Sequence, residues 1–173
     1  MIMIQGVINS VEKILQYLLI VLTAAIVICV SWQVFSRYIL QSPSSLTEEL
    51  ARFLLIWIGL FGAAYAYKCG SHLGLDILTT RMKPLQQKFA AIFSNLVVLF
   101  FAVYVMMVGG MALVNLTMDP TQTSAAMEIK MGYVYSAVPL SGLLIAIFSC
   151  EKIIGIFCRP LSQLQAETSV LGE

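Results

Sequence analysis

The chain has 173 residues, 60% hydrophobic and 11% charged, with a mean hydropathy of +0.90. Soluble domains carry about 25% charged residues, so this composition cannot cover a water-facing surface and points to a bilayer. A net charge of +1 excludes a basic surface for nucleic acid and an acidic tail.

A helix of roughly 20 apolar residues crosses the ~30 Å hydrocarbon core. Helices satisfy their own backbone groups in lipid, whereas open strands leave them unpaired. The sequence therefore predicts an all-α membrane protein with four transmembrane helices, at about 14–36, 46–67, 85–116 and 132–157. These make a membrane domain over 14–158, between an N-terminal segment 1–13 and a polar tail 159–173. The first apolar run, Ile14 to Ser36, spans 23 residues without a charge. That is longer than a signal-peptide core of roughly 7–15 residues, so an uncleaved first span is expected.

Basic residues orient a membrane protein toward the cytoplasm. With the N-terminus inside, the inner side holds Lys13, Lys68, Arg81, Lys83, Lys88, Lys152 and Arg159, while the outer side holds Arg37, Arg52 and Lys130. Both termini are expected to be cytoplasmic, with the loops after spans 1 and 3 outside.

Span 1 ends in Trp32, Phe35 and Tyr38 around Arg37, residue types that anchor a helix at the membrane interface. The following loop holds Pro43 and serines. Ser45-Leu46-Thr47-Glu48 fits a capping box, in which hydroxyl and carboxylate satisfy free N–H groups reciprocally. Glu48 and Glu49 lie at the positive end of the helix dipole. Arg52 stands four residues from one and three from the other, so either pair could close. Arg37, Glu48, Glu49 and Arg52 thus form an expected outer collar, either a local ion-pair cluster or a docking feature.

Span 2 continues with Phe53, Trp57 and Phe61 at spacing four. Opposite them Gly62, Ala66 and Gly70 form a small-residue stripe at the same spacing. Small residues let helix backbones approach closely in lipid, so this face suits a helix neighbour in this chain or in another subunit. After it come His72 and Asp76, four apart, too few ligands for a metal site and better read as tying down an inner turn. Arg81, Lys83 and Lys88 suit anionic membrane lipid, and Pro84 suits the first position of helix 3.

Span 3 exceeds one crossing: Leu85 to Asn115 is 31 residues, about 46 Å at 1.5 Å each. It must tilt, bend or protrude, and Gly109-Gly110 is the expected bend or close-packing point. A polar outer turn follows around Asp119-Pro120. Span 4 carries Pro139, tolerated where neighbouring helices and hydroxyls such as Ser136 compensate.

No charged residue lies at mid-span, where one costs about 2.5–3.5 kcal/mol and is usually kept for a function. The four cysteines are unpaired in sequence, a single histidine cannot supply a bis-histidine haem, and no catalytic constellation is present. The expectation is a protein that is not an enzyme and binds neither cofactor nor metal. Two classes remain: an accessory or scaffold subunit, or a self-contained homo-oligomeric four-span channel or small exporter.

Gln33-Val34-Phe35-Ser36-Arg37-Tyr38, then Thr47-Glu48-Glu49-Leu50-Ala51-Arg52, Gly62-Ala63-Ala64, His72 with Asp76, and the run from Tyr133-Val134-Tyr135 to Pro139-Leu140 follow one another in a particular order and spacing. Together they resemble the small membrane subunit, DctQ type, of tripartite ATP-independent periplasmic (TRAP) transporters, over about residues 14–157. Leu46 departs from the aromatic expected before Thr-Glu-Glu. The resemblance implies a multi-pass protein of the bacterial inner membrane. It implies two partners: a large multi-spanning subunit that holds the sodium and substrate sites and moves as an elevator, and a periplasmic substrate-binding protein. The transported species would be an organic anion of the C4-dicarboxylate or sialic acid class.

Overall fold

A computed structural model describes residues 2–42, 44–70 and 84–158. The chain forms α1 (Ile2–Tyr38), α2 (Ser45–Lys68) and α3 (Pro84–Phe100). A π-helical segment (Phe101–Gly109) then leads into α4 (Gly110–Met118), and α5 (Met131–Tyr135) and α6 (Ala137–Cys158) follow. The π segment joins α3 and α4 into one long span, and α5 with α6 makes another. Four helices, Gln5–Tyr38, Ser45–Lys68, Lys88–Met118 and Met131–Ile156, are long and apolar enough to cross a membrane.

The first helix begins at Ile2, ahead of the apolar run that starts at Ile14. Its 37 residues extend about 55 Å, so its early turns reach beyond a single crossing. Those turns are not idle, because Ile8 and Leu15 are buried in the same apolar cluster as Phe61, Tyr67, Ile145 and Phe148. At its far end Ile39 N–H donates to Phe35 O and Ser42 N–H to Ser36 O, and Gln41 takes a left-handed φ of 51°.

The expected capping box does not form. The N-cap of α2 is Ser44, one residue earlier than that motif requires, and no side chain caps it. Thr47 Oγ1 instead donates to Ser44 O at 3.1 Å. Ser45 is already helical, so its hydroxyl no longer lies where an N-cap oxygen meets the free N–H groups. At the other end Gly70, with φ +73°, donates its N–H to Tyr67 O. A left-handed residue there is how many helices stop, so Gly70 terminates α2 and does not continue its stripe.

The helices pack in the order span 1, span 2, span 4, span 3. Phe53, Phe61, Ala64 and Tyr67 are the buried face of α2. Between spans 3 and 4 the backbones nearly touch. A Cβ on Gly142 would lie 2.7 Å from Met106 Cβ and 3.0 Å from Ala102 O, and one on Gly110 would lie 2.9 Å from Pro139 Cδ. Gly110 is thus a close-packing point. Gly132 against Met118, at 2.7 Å from its Cγ, is a third such contact between the same two spans. Pro139 falls in the first turn of α6, after the helix breaks at Ser136. N–H groups in a first turn have no intrahelical partner, so proline removes nothing there. Ser136 Oγ donates to Tyr133 O at 2.6 Å across the break.

Candidate subunit interface

Where α1 ends and α2 begins, span 1 and span 2 are laced together. Gln33 Nε2 and Cys29 Sγ both donate to Thr47 O, at 2.6 and 3.1 Å. Two residues along α2, Glu49 turns away from Arg52. Its Oε2 accepts the N–H groups of Ala126 and Met127, each at 2.9 Å, and its Oε1 accepts that of Ala125 at 3.2 Å. Three successive backbone N–H groups form an anion-binding nest, and the carboxylate fills it. The loop they belong to is itself ordered by a bridge between Thr123 and Lys130.

The expected collar therefore divides into three. Glu48 and Arg52 form the i,i+4 pair at 3.4 Å, with side chains 60% and 67% exposed. Exposed pairs of this kind contribute little to stability. Glu49 belongs to the loop between spans 3 and 4. Arg37 is exposed and takes part in none of the ion pairs among the described residues.

Span 2 has two opposed faces. Trp57 packs edge-on against Phe61, with ring centroids 5.2 Å apart, toward the chain's own core. Gly62 and Ala66 look away from it. Ala66 is exposed, and a Cβ built on Gly62, or on the neighbouring Gly59, meets nothing within 4 Å. Among the described residues, no helix packs against the small-residue stripe. His72 and Asp76 lie outside the described residues.

At the opposite end of the bundle three helices meet through charge. Lys68 Nζ lies 2.5 Å from Glu151 Oε2 and 4.0 Å from Glu12 Oε2, with side chains 15%, 23% and 32% exposed respectively. Next to it Lys152 donates to Tyr67 O and lies over the Tyr67 ring, 4.4 Å from its centroid. Tyr67 Oη in turn donates to Asn95 Oδ1 at 2.5 Å, and Ser149 Oγ donates to Asn95 O at 2.9 Å. By sequence, Lys68 and Lys152 enter only the count of charge, and none of this network's residues is named as a site. Its signal was depth: Glu12, Lys68 and Glu151 fall at the same membrane end once four spans alternate in direction.

The chain's residues 26–159 match the sequence profile of the DctQ component of tripartite ATP-independent periplasmic transporters. It belongs to the DctQ family. As a DctQ component it is the small permease subunit of a TRAP transporter, a multi-pass membrane protein and not an enzyme. It is similar to the sialic acid TRAP transporter small permease SiaQ of Vibrio cholerae, with 25% identity over 89% of this chain and 86% of SiaQ. It is also similar to the C4-dicarboxylate small permease DctQ of Rhodobacter capsulatus, with 28% identity over 56% of this chain and 42% of that protein. A third relative is the sialic acid TRAP transporter permease SiaT of Haemophilus influenzae, 28% identical over 65% of this chain but only 18% of SiaT. SiaT is thus a much longer permease with a segment like this subunit. The partners of a DctQ subunit are the large permease and the periplasmic binding protein of its transporter.

The matched region contains Gln33, Thr47 and Glu49. Two of the motifs that carried the resemblance therefore meet in space, since Gln33 of the first donates to Thr47 of the second.

Proposed function

We propose that this subunit braces the large permease of a sodium-coupled TRAP transporter in the bacterial inner membrane, without holding substrate or sodium itself. The observation that carries this reading is the outward face of span 2. Gly62 and Ala66 lie on a side where, among the described residues, no helix approaches. In lipid, where apolar burial does not drive helices together, small residues favour close packing of a partner helix. The Glu48–Arg52 pair continues that face to the outer membrane end and sets the register of the interface there. Both termini are cytoplasmic in this reading, supported by the seven-to-three excess of basic residues on their side. The transported species is an organic anion. Sialic acid is favoured over a C4-dicarboxylate because the relative named for sialic acid is matched over most of both chains, and the one named for C4-dicarboxylate over about half of this one.

The test is co-purification. The tagged chain, expressed with its chromosomal neighbours and extracted in mild detergent, should bring down a larger multi-span protein in stoichiometric amount. Gly62→Leu and Ala66→Leu should lower that yield while the subunit itself stays monodisperse. A stable homo-oligomer without partner, transporting on its own in vesicles, would overturn the reading in favour of a self-contained channel or exporter. Full assembly by both variants would overturn the placement of the interface on span 2.

A further inference from the structure

Span 3 does not run as one regular helix. From Phe101 to Gly109 it is π-helical over nine residues, whereas π geometry in proteins is mostly a single turn and often marks a functional segment. Nothing in Phe101–Val108 explains this locally, because it holds neither proline nor glycine, the usual local causes of an irregular helix. The cause is packing against span 4. Ala102 and Gly110 both press on α6: the Ala102 carbonyl oxygen lies 3.0 Å from a Cβ built on Gly142, and a Cβ built on Gly110 lies 2.9 Å from Pro139 Cδ. These two residues stand eight positions apart. A regular α-helix returns to one face after about seven residues. One residue is therefore surplus, and the π segment takes it up.

The residue seven positions after Ala102 is Gly109. Packing requires a glycine at 110 but not at 109, which is exposed, and a Cβ built there approaches only Tyr104 O of its own helix, at 4.0 Å. A glycine in a helix without a packing reason costs stability relative to alanine. A second register supplies the reason. With the surplus residue released and the segment α-helical, Gly109 comes to Pro139 in place of Gly110, and a glycine again meets the proline. Phe101, Val103, Tyr104, Val105 and Val108 on the segment are exposed. The buried Thr117 hydroxyl is held by Leu113 O and Val114 O of its own helix, so it stays paired when α4 turns.

We propose that the π segment is a two-register joint, π-helical with Gly110 against Pro139 and α-helical with Gly109 there. The change turns α4 by about 100° and advances it by about 1.5 Å, one residue's worth. Thr117 then replaces Met118 against Gly132, and the loop whose N–H groups hold Glu49 moves with the end of α4. The joint thus links the packing of spans 3 and 4 to the shape of that loop, and it does not depend on which face meets the large permease.

Helix register shifts run on the microsecond-to-millisecond scale that NMR relaxation dispersion reads. The full chain, in lipid nanodiscs and with isotope-labelled methionine methyl groups, should show Met118 in two states, as exchange broadening or as a resolved second signal. Gly109→Ala closes the second register and adds a group that meets no neighbouring helix in the first. It should abolish the second state and leave the major Met118 signal in place. Gly110→Ala should move the population to the second state and quicken hydrogen exchange at the Ala125–Met127 amides. Deletion of Val105 removes the surplus residue while Gly110 keeps its place at Pro139. It should give one exchange-free Met118 signal, and it stands in for Gly110→Ala if that variant fails to fold. A single Met118 state in the wild type, or a second state that persists in Gly109→Ala or in the deletion, would overturn the proposal.

Discussion

The carboxylate of Glu49 accepts the backbone N–H of Ala126 at 2.9 Å across 77 residues of sequence. Together with its bonds to Ala125 and Met127, this ties the start of span 2 to the loop before span 4. The loop owes its shape to a side chain from another helix as much as to its own bridge. Hydrogen exchange at the three amides should therefore quicken in Glu49→Ala. Glu49→Gln should give a smaller change, because the amide oxygen still accepts but carries no charge. Unaltered protection in both variants would mean that the loop holds itself.

Gly142 and Gly62 make opposite predictions from the same residue type. A side chain at 142 would drive into Met106 Cβ and Ala102 O, and overpacking of this kind costs about 1–3 kcal/mol. Gly142→Leu should lower the thermal midpoint of the purified subunit in detergent. Gly62→Leu should leave that midpoint near the wild-type value, since its Cβ meets nothing within 4 Å among the described residues, and act only on assembly. Equal loss of stability in the two would contradict the packing described.

Lys68 reaches carboxylates from two other helices. Removing one partner of a fully buried pair costs about 3–5 kcal/mol, and the partial exposure of this cluster reduces that. Lys68→Met should destabilise the isolated subunit by about 2 kcal/mol. Exchange of Lys68→Glu with Glu151→Lys should recover part of the loss. A stable Lys68→Met protein would show that the three helices hold together through their apolar contacts alone.

Tyr67 and Asn95 join span 2 to span 3 through a 2.5 Å hydrogen bond. Interhelical hydrogen bonds in membranes average about 0.6 kcal/mol, with a maximum near 1.7. Tyr67→Phe should thus cost about 1 kcal/mol, read as a small drop in the detergent melting midpoint. Asn95→Leu should match it, and the double variant should cost less than the sum of the two single changes. Strict additivity would indicate that the pair does not interact.

Several features were legible in the sequence because they are local. The four apolar runs, the turn at Asp119-Pro120, the Glu48–Arg52 pair and the close packing at Gly110 all follow from runs, spacings or residue type within a few positions. The order of motifs from Gln33 to Pro139 was enough to reach the family. Other features were misread at the same local level. The capping box at Ser45 shifted by one residue because Ser44 took the N-cap. Glu49 preferred three loop N–H groups to Arg52, a choice between a nearby partner and a distant one that spacing on α2 could not reveal.

What only the tertiary structure decided is which apolar faces meet. In water, an amphipathic pattern separates the buried side of a helix from the exposed side. In lipid both sides are apolar, so the pattern carries little of that information. Gly62 and Gly142 look equivalent as letters. One has none of the described residues within 4 Å of its Cβ position, and the other lets two helices of this chain touch. The charges of Glu12, Lys68 and Glu151 are separately unremarkable in sequence, and the folded arrangement of spans 1, 2 and 4 brings them into one cluster.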